Sequence, residues 1–264
     1  MIIDCHTHIW HDGEMGGTIK NLLKSMDAAK IDKSLVFIGR ERMDVQLKGV
    51  LKHKDRLHAV AIADPLGNEK YQKRLGSYVC SREPAHEINK LQSLYEEGKI
   101  VAVKFYTGYD HYFPYDDEPA TYLEVLQKIR CPAIFHCGDC LNTVKDAKLR
   151  YAHPLGVDDV AVNYPNMKFI IAHMGFPWVK DAAEVCYKNS NVYSDISGFV
   201  YGEFTNDDQR KFNNVIGEFV DICPGKKLLF GSDWPISSQK SYMDAMDLKA
   251  VERMSATVQK VFKL

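Results

Sequence analysis

Ile2-Ile3-Asp4-Cys5-His6-Thr7-His8 opens the chain as a short β-branched run that ends in residues able to hold a metal ion. In an extended strand, residues two apart share a face, so His6 and His8 point the same way and Cys5 is expected on the other side. Alone the pair says little: with 10 His in 264 residues, ~0.4 such pairs arise by chance. The same pattern recurs along the chain, however. Short, nearly continuous apolar runs are expected as strands at Ile2–Cys5, Leu35–Ile38, Leu57–Ile62, Ile100–Phe105, Ala133–Phe135, Phe169–Ala172, Val192–Ser194 and Leu228–Phe230. Such runs read as strands buried on both faces.

Helix-period segments lie between them. Asn21–Ile31, Glu87–Glu97 and Tyr122–Ile129 each carry an apolar stripe, and Asp207–Ile222 and Tyr242–Phe262 are expected as the last two helices. Strands alternating with helices argue for a parallel sheet. Roughly eight such units in roughly 250 residues match a closed (β/α)8 TIM barrel occupying 1–264 as a single domain. The runner-up is an open doubly wound sheet, but no Gly-rich phosphate loop follows any strand. A barrel predicts chemistry at the C-terminal ends of its strands.

Composition removes several classes. Lys plus Arg at 34 against Asp plus Glu at 35 give a net charge of −1, so there is no broad electrostatic footprint for nucleic acid or an anionic membrane. No apolar run approaches the roughly 20 residues of a membrane helix. The N-terminus lacks the basic and apolar regions of a secretory signal. Seven scattered Cys do not form a disulfide framework, and a reducing cytoplasmic setting is expected.

Four of the expected strands lead into metal-binding side chains: His6 and His8, then His136, then His173 in Ala172-His173-Met174-Gly175, then Asp233 in Gly231-Ser232-Asp233-Trp234-Pro235. A lone His or Asp at a strand end is more often a hydrogen-bonded core residue. Four imidazoles and a carboxylate at the convergent end of one barrel reverse that balance. Such a set, without thiolate, suits Zn²⁺, Mn²⁺ or Fe²⁺.

The opening motif, the His136 segment, Tyr164–Gly175, Asn191–Asp195 and Gly231–Pro235 together resemble the amidohydrolase superfamily, and more narrowly the "amidohydrolase 2" group of metal-dependent hydrolases and decarboxylases. The resemblance implies one divalent ion, zinc first, held by His6, His8, His136 and Asp233. It gives His173 and Asp233 the acid–base work, and it implies a barrel with the site at its strand ends. Related two-metal enzymes carboxylate a lysine near Lys104, which leaves a binuclear site open; the plainer reading is a cation that meets an anionic substrate. TatD-like nucleases share the length and opening motif, but they place a Glu where this chain has Lys104.

The loops that follow the strands set substrate choice. They supply Trp10, His11 and the Gly13–Gly17 stretch, Arg40 and Arg42, Arg74 and Arg82, and an aromatic-rich segment with Tyr109, His111, Tyr112, Phe113 and Tyr115. Phe199, Tyr201, Phe204 and Trp234 follow later. Lys104, Arg40, Tyr106 and Trp234 are the expected substrate contacts, around a small organic molecule bearing a carboxylate. Hydrolysis of a C–N or C–O bond is favoured. Non-oxidative decarboxylation by the same residues is the alternative, and a silent metal-binding scaffold would require a lost ligand that is not seen. Cys137-Gly138-Asp139-Cys140 reads as two thiols in a loop rather than a redox pair. A homodimer is left open.

Overall fold

A computed structural model describes residues 1–10, 14–40, 42–67 and 84–264. Eight parallel strands pair in chain order: β1 (Ile3–His8), β2 (Lys33–Ile38), β3 (Leu57–Ile62), β4 (Ile100–Phe105), β5 (Ala133–Phe135), β6 (Phe169–Ile171), β7 (Val192–Asp195) and β8 (Leu228–Leu229). The seam between the last and the first is closed beyond the end of β8. Cys5 N–H donates to Phe230 O at 2.8 Å, Asp233 N–H to His6 O at 2.8 Å, and His8 N–H to Trp234 O at 2.7 Å. This is the expected (β/α)8 barrel.

The helices among the described residues are α1 (Ile19–Ala29), α2 (Met43–Leu51), α3 (Pro84–Glu96), α4 (Asp117–Ile129), α5 (Leu155–Asn163), α6 (Val179–Lys188), α7 (Asn206–Ile222), α8 (Gln239–Asp244) and α9 (Leu248–Phe262). None of them is long and apolar enough to cross a membrane. The expected last helix is two. Ser238 caps α8 by accepting from Ser241 N–H, and Asp247 starts α9 by accepting from Ala250 N–H, each satisfying a donor that a helix start leaves unpaired.

Strand alternation sorts the core into two layers. Ile3, Leu35, Phe37, Val60, Ala102, Ile134, Ile170 and Leu229 fill the barrel, with Val258, Val261 and Phe262 of α9 packed against them. Their neighbours Val36, Ile38, Ala59, Val103, Phe105, Phe135 and Phe169 pack outward with the helices. Lys104 is the charged side chain of β4 and is wholly buried.

β1 departs from strict alternation. Asp4 pairs with Ser34 while Thr7 pairs with Val36, so the register slips between them. Such a bulge re-aims side chains. Cys5 accordingly packs with Ile3, Leu35, Phe37 and Val60 inside the barrel, not on the far side as simple alternation predicts. The strand also runs on through His8, carrying both histidines on rigid backbone.

Candidate metal centre

His6 Nε2 lies 3.4 Å and His8 Nε2 3.0 Å from the same atom, Asp233 Oδ1. All three side chains are buried, and their donor atoms lie within 4.8 Å of one another. Asp233 Oδ1 nevertheless makes no aligned hydrogen bond among the described residues. A buried carboxylate oxygen without a bonded partner costs about 1–3 kcal/mol or more. Two imidazole nitrogens and one carboxylate oxygen converging without mutual bonding are what a divalent ion requires. The residues therefore fit a metal ion.

The opposite ring nitrogens fix which atoms face the ion. His6 Nδ1 is 3.0 Å from Asp195 Oδ2, and His8 Nδ1 is 3.4 Å from the Tyr106 hydroxyl. A carboxylate on one ring nitrogen holds the proton there and leaves Nε2 free to ligate. Asp195 closes β7, and its other oxygen accepts from His173 N–H at 3.1 Å, Ser197 N–H at 3.0 Å and the Ser197 hydroxyl. His6, His173 and Asp195 also bring donor atoms within 4.8 Å of one another, but hydrogen bonds already engage both Asp195 oxygens. We read that trio as support for the first.

Burial sets the protonation states. It pushes His6 down to about 3, with the Lys104 charge adding to the effect, and it lowers His8 too. Neutral imidazoles are the ligating form. Burial alone would raise Asp233, but the approach of His8 and the neighbouring His6 and His173 hold it well below the usual carboxylate range. Burial raises Asp4 to about 6 even though Ser232, Gln239 and the His6 N–H donate to it.

His173 follows β6 in a tight turn with φ 60°, Met174 after it has φ 51°, and Asp233 has φ 70°. Left-handed backbone at non-glycine residues costs of order 1–3 kcal/mol each and concentrates at functional sites. Gly198 makes the space between them. A Cβ there would stand 2.5 Å from His173 Nδ1 and 3.3 Å from Asp233 Oδ2. His173 Nδ1 pairs with the Ser197 hydroxyl at 2.9 Å, and its ring centroid is 4.7 Å from that of His6.

The other expected residues are placed less uniformly. The His136 ring is 5.0 Å from His173, but its Nε2 faces the Asp139 carbonyl at 3.0 Å, outside the three-donor group. Lys104 Nζ has no hydrogen-bond partner among the described residues and lies 5.0 Å from the Phe37 ring and 5.4 Å from the Tyr106 ring. Burial lowers it to about 8 against the pull of Asp195 and Asp233. Arg40 is engaged instead of open, with Nη2 2.5 Å from Asp110 and Nη1 3.5 Å from Asp64. Trp234 packs into the outer core. Phe199 and Phe204 pack on Phe212, and Phe113 on Tyr115 and Tyr151. His11, Gly13, Arg74 and Arg82 lie outside the described residues.

The amidohydrolase family model matches residues 3–263. The chain belongs to the amidohydrolase family. Among solved structures, this amidohydrolase is similar to a probable 2-pyrone-4,6-dicarboxylic acid hydrolase of Acinetobacter baumannii solved with citric acid bound, at 15% identity and TM-score 0.67, covering 100% of this chain and 99% of that one. An amidohydrolase of Burkholderia multivorans with bound zinc shares 14% identity at TM-score 0.69, covering 100% and 99%. A 2,6-dihydroxybenzoate decarboxylase from Rhizobium shares 14% at TM-score 0.68, covering 99% and 98%. Protein fluG of Emericella nidulans is 26% identical over 88 residues, spanning 33% of this chain and 10% of that protein.

Proposed function

We propose that this amidohydrolase is a metal-dependent hydrolase of a C–N or C–O bond in a small organic substrate that carries a carboxylate. The observation that carries the reading is the convergence of His6 Nε2 and His8 Nε2 on Asp233 Oδ1, which has no aligned hydrogen bond among the described residues. Zinc is the first candidate, since two imidazoles and a carboxylate suit it. A zinc ion there would supply a Lewis acid that acidifies water and polarises an acyl oxygen.

The chain's own residues do the rest. Asp233, ionised and in contact with the ligating histidines, is placed to take a proton from water and return it to a leaving group. His173, oriented by Ser197, stands beside it to hold the acyl oxygen. Asp195 keeps His6 in the ligating tautomer. Lys104 is a buried ammonium without a hydrogen-bonded partner among the described residues and supplies the charge that a substrate carboxylate needs. His136, whose ring lies 5.0 Å from that of His173, is the proposed fourth ligand.

The test is turnover of a panel of lactones, amides and aromatic carboxylates by zinc-loaded protein, with Lys104→Met beside it. Hydrolysis of an anionic ester or amide with KM raised in Lys104→Met supports the reading. Release of CO₂ without hydrolysis reassigns the site to decarboxylation. Loss of metal in Lys104→Met makes Lys104 a ligand-supporting group rather than a substrate anchor.

A further inference from the structure

His8 is held differently from His6. Its Nδ1 meets a phenol rather than a carboxylate, a neutral partner that orients an imidazole weakly. The rest of its support is aromatic. The Trp10 indole lies parallel to the His8 ring, at 2° between planes and 5.0 Å between centroids. Phe37 meets His8 edge-on at 4.9 Å. Trp10 also lies against the loop leading into α1. Its N–H donates to Gly17 O at 2.9 Å, and a Cβ at Gly17 would stand 2.3 Å from Trp10 Cδ1. Only a glycine lets that backbone lie so close. The indole Nε1 is buried without a hydrogen-bond partner among the described residues. Among the described residues, packing is what orients the indole.

We propose that Trp10 is a positioning residue for the metal ligand His8, its indole stacked on the imidazole and set in place by the closely approaching Gly17 backbone, so that Nε2 faces Asp233. The inference rests on the metal reading above. Stacking on a flat indole favours one orientation of the imidazole ring. A ligand that wanders loses metal affinity, and groups that orient ligands typically change it about 10–100-fold. Phe at position 10 keeps a flat ring to stack, whereas Ala does not. Gly17→Ala displaces the indole without altering either Trp10 or His8.

The experiment is zinc affinity of the metal-free protein by competition with a chromophoric chelator, with melting temperature as the folding control. Wild type, Trp10→Phe, Trp10→Ala and Gly17→Ala are compared. The expected result is zinc Kd raised about tenfold or more in Trp10→Ala and Gly17→Ala, with Trp10→Phe within about threefold of wild type. Gly17→Ala and Trp10→Phe carry the test if Trp10→Ala does not fold. Wild-type affinity in Trp10→Ala or in Gly17→Ala, or a Trp10→Phe as weak as the alanine variants, overturns this inference and leaves the metal reading standing. A wild type that binds neither zinc, manganese nor iron overturns both.

Discussion

Replacing Asp195 by Asn should cost metal affinity far more than it costs the fold. One Asp195 oxygen accepts from two backbone N–H groups and the Ser197 hydroxyl, and the other faces His6 Nδ1 at 3.0 Å. An amide must put its oxygen where three donors converge, because its NH₂ would clash with them. The NH₂ then faces His6 Nδ1 and makes it an acceptor. The imidazole proton moves to Nε2, the atom that should ligate. Losing a group that orients a ligand costs about 10–100-fold in metal affinity, or about 1.4–2.7 kcal/mol. The three hydrogen bonds to the retained oxygen persist at reduced strength, so the metal-free protein should still melt cooperatively. Chelator competition for zinc, run beside thermal unfolding, separates the two effects. Zinc affinity within threefold of wild type in a folded Asp195→Asn would refute the tautomer argument.

Two further outcomes follow. Arg40→Met should destabilise by about 3–5 kcal/mol in urea unfolding, since it leaves Asp110 and Asp64 buried without their guanidinium; a raised KM with unchanged stability would instead make Arg40 a substrate anchor. The metal-free protein should lose stability as pH falls from about 6.5 toward 3, because His6 is held neutral in the fold down to about 3 while the unfolded chain takes up its proton near 6.5. Asp4, raised to about 6, offsets most of this between about pH 6 and 4, so the net loss is expected chiefly below about pH 4, and a melting temperature no lower at about pH 3 than at about pH 7 would contradict the balance.

The strand ends were the most legible part of the sequence. Each apolar run is a strand in the structure, because parallel strands buried on both faces leave an unmistakable hydrophobic signature. Helix α5 carries no strong sequence signal, whereas Val179, Ala182, Ala183 and Cys186 give α6 a buried stripe at helical spacing. Val157, Val160 and Ala161 of α5 are small and mixed with exposed Leu155 and Val162, which blurs its stripe. The bulge in β1 was not legible, since a register slip is a property of two paired strands and periodicity describes one. His6, His8, His173 and Asp233 could be nominated from residue type and position. Asp195 could not be given its supporting role, because a carboxylate 189 residues away from His6 announces nothing until the barrel closes. Arg40 shows the converse: a cation on a loop reads as an anchor, whereas the fold supplies two carboxylates for it.

The central claim is that His6, His8 and Asp233 hold one divalent ion. The direct measurement is metal content of the purified protein by ICP mass spectrometry after zinc loading and removal of excess, with Asp233→Ala alongside. The account predicts about one zinc per chain in the wild type and little in Asp233→Ala, with both proteins folded. Equal zinc in the two, or none in the wild type after reconstitution with zinc, manganese and iron, would contradict it.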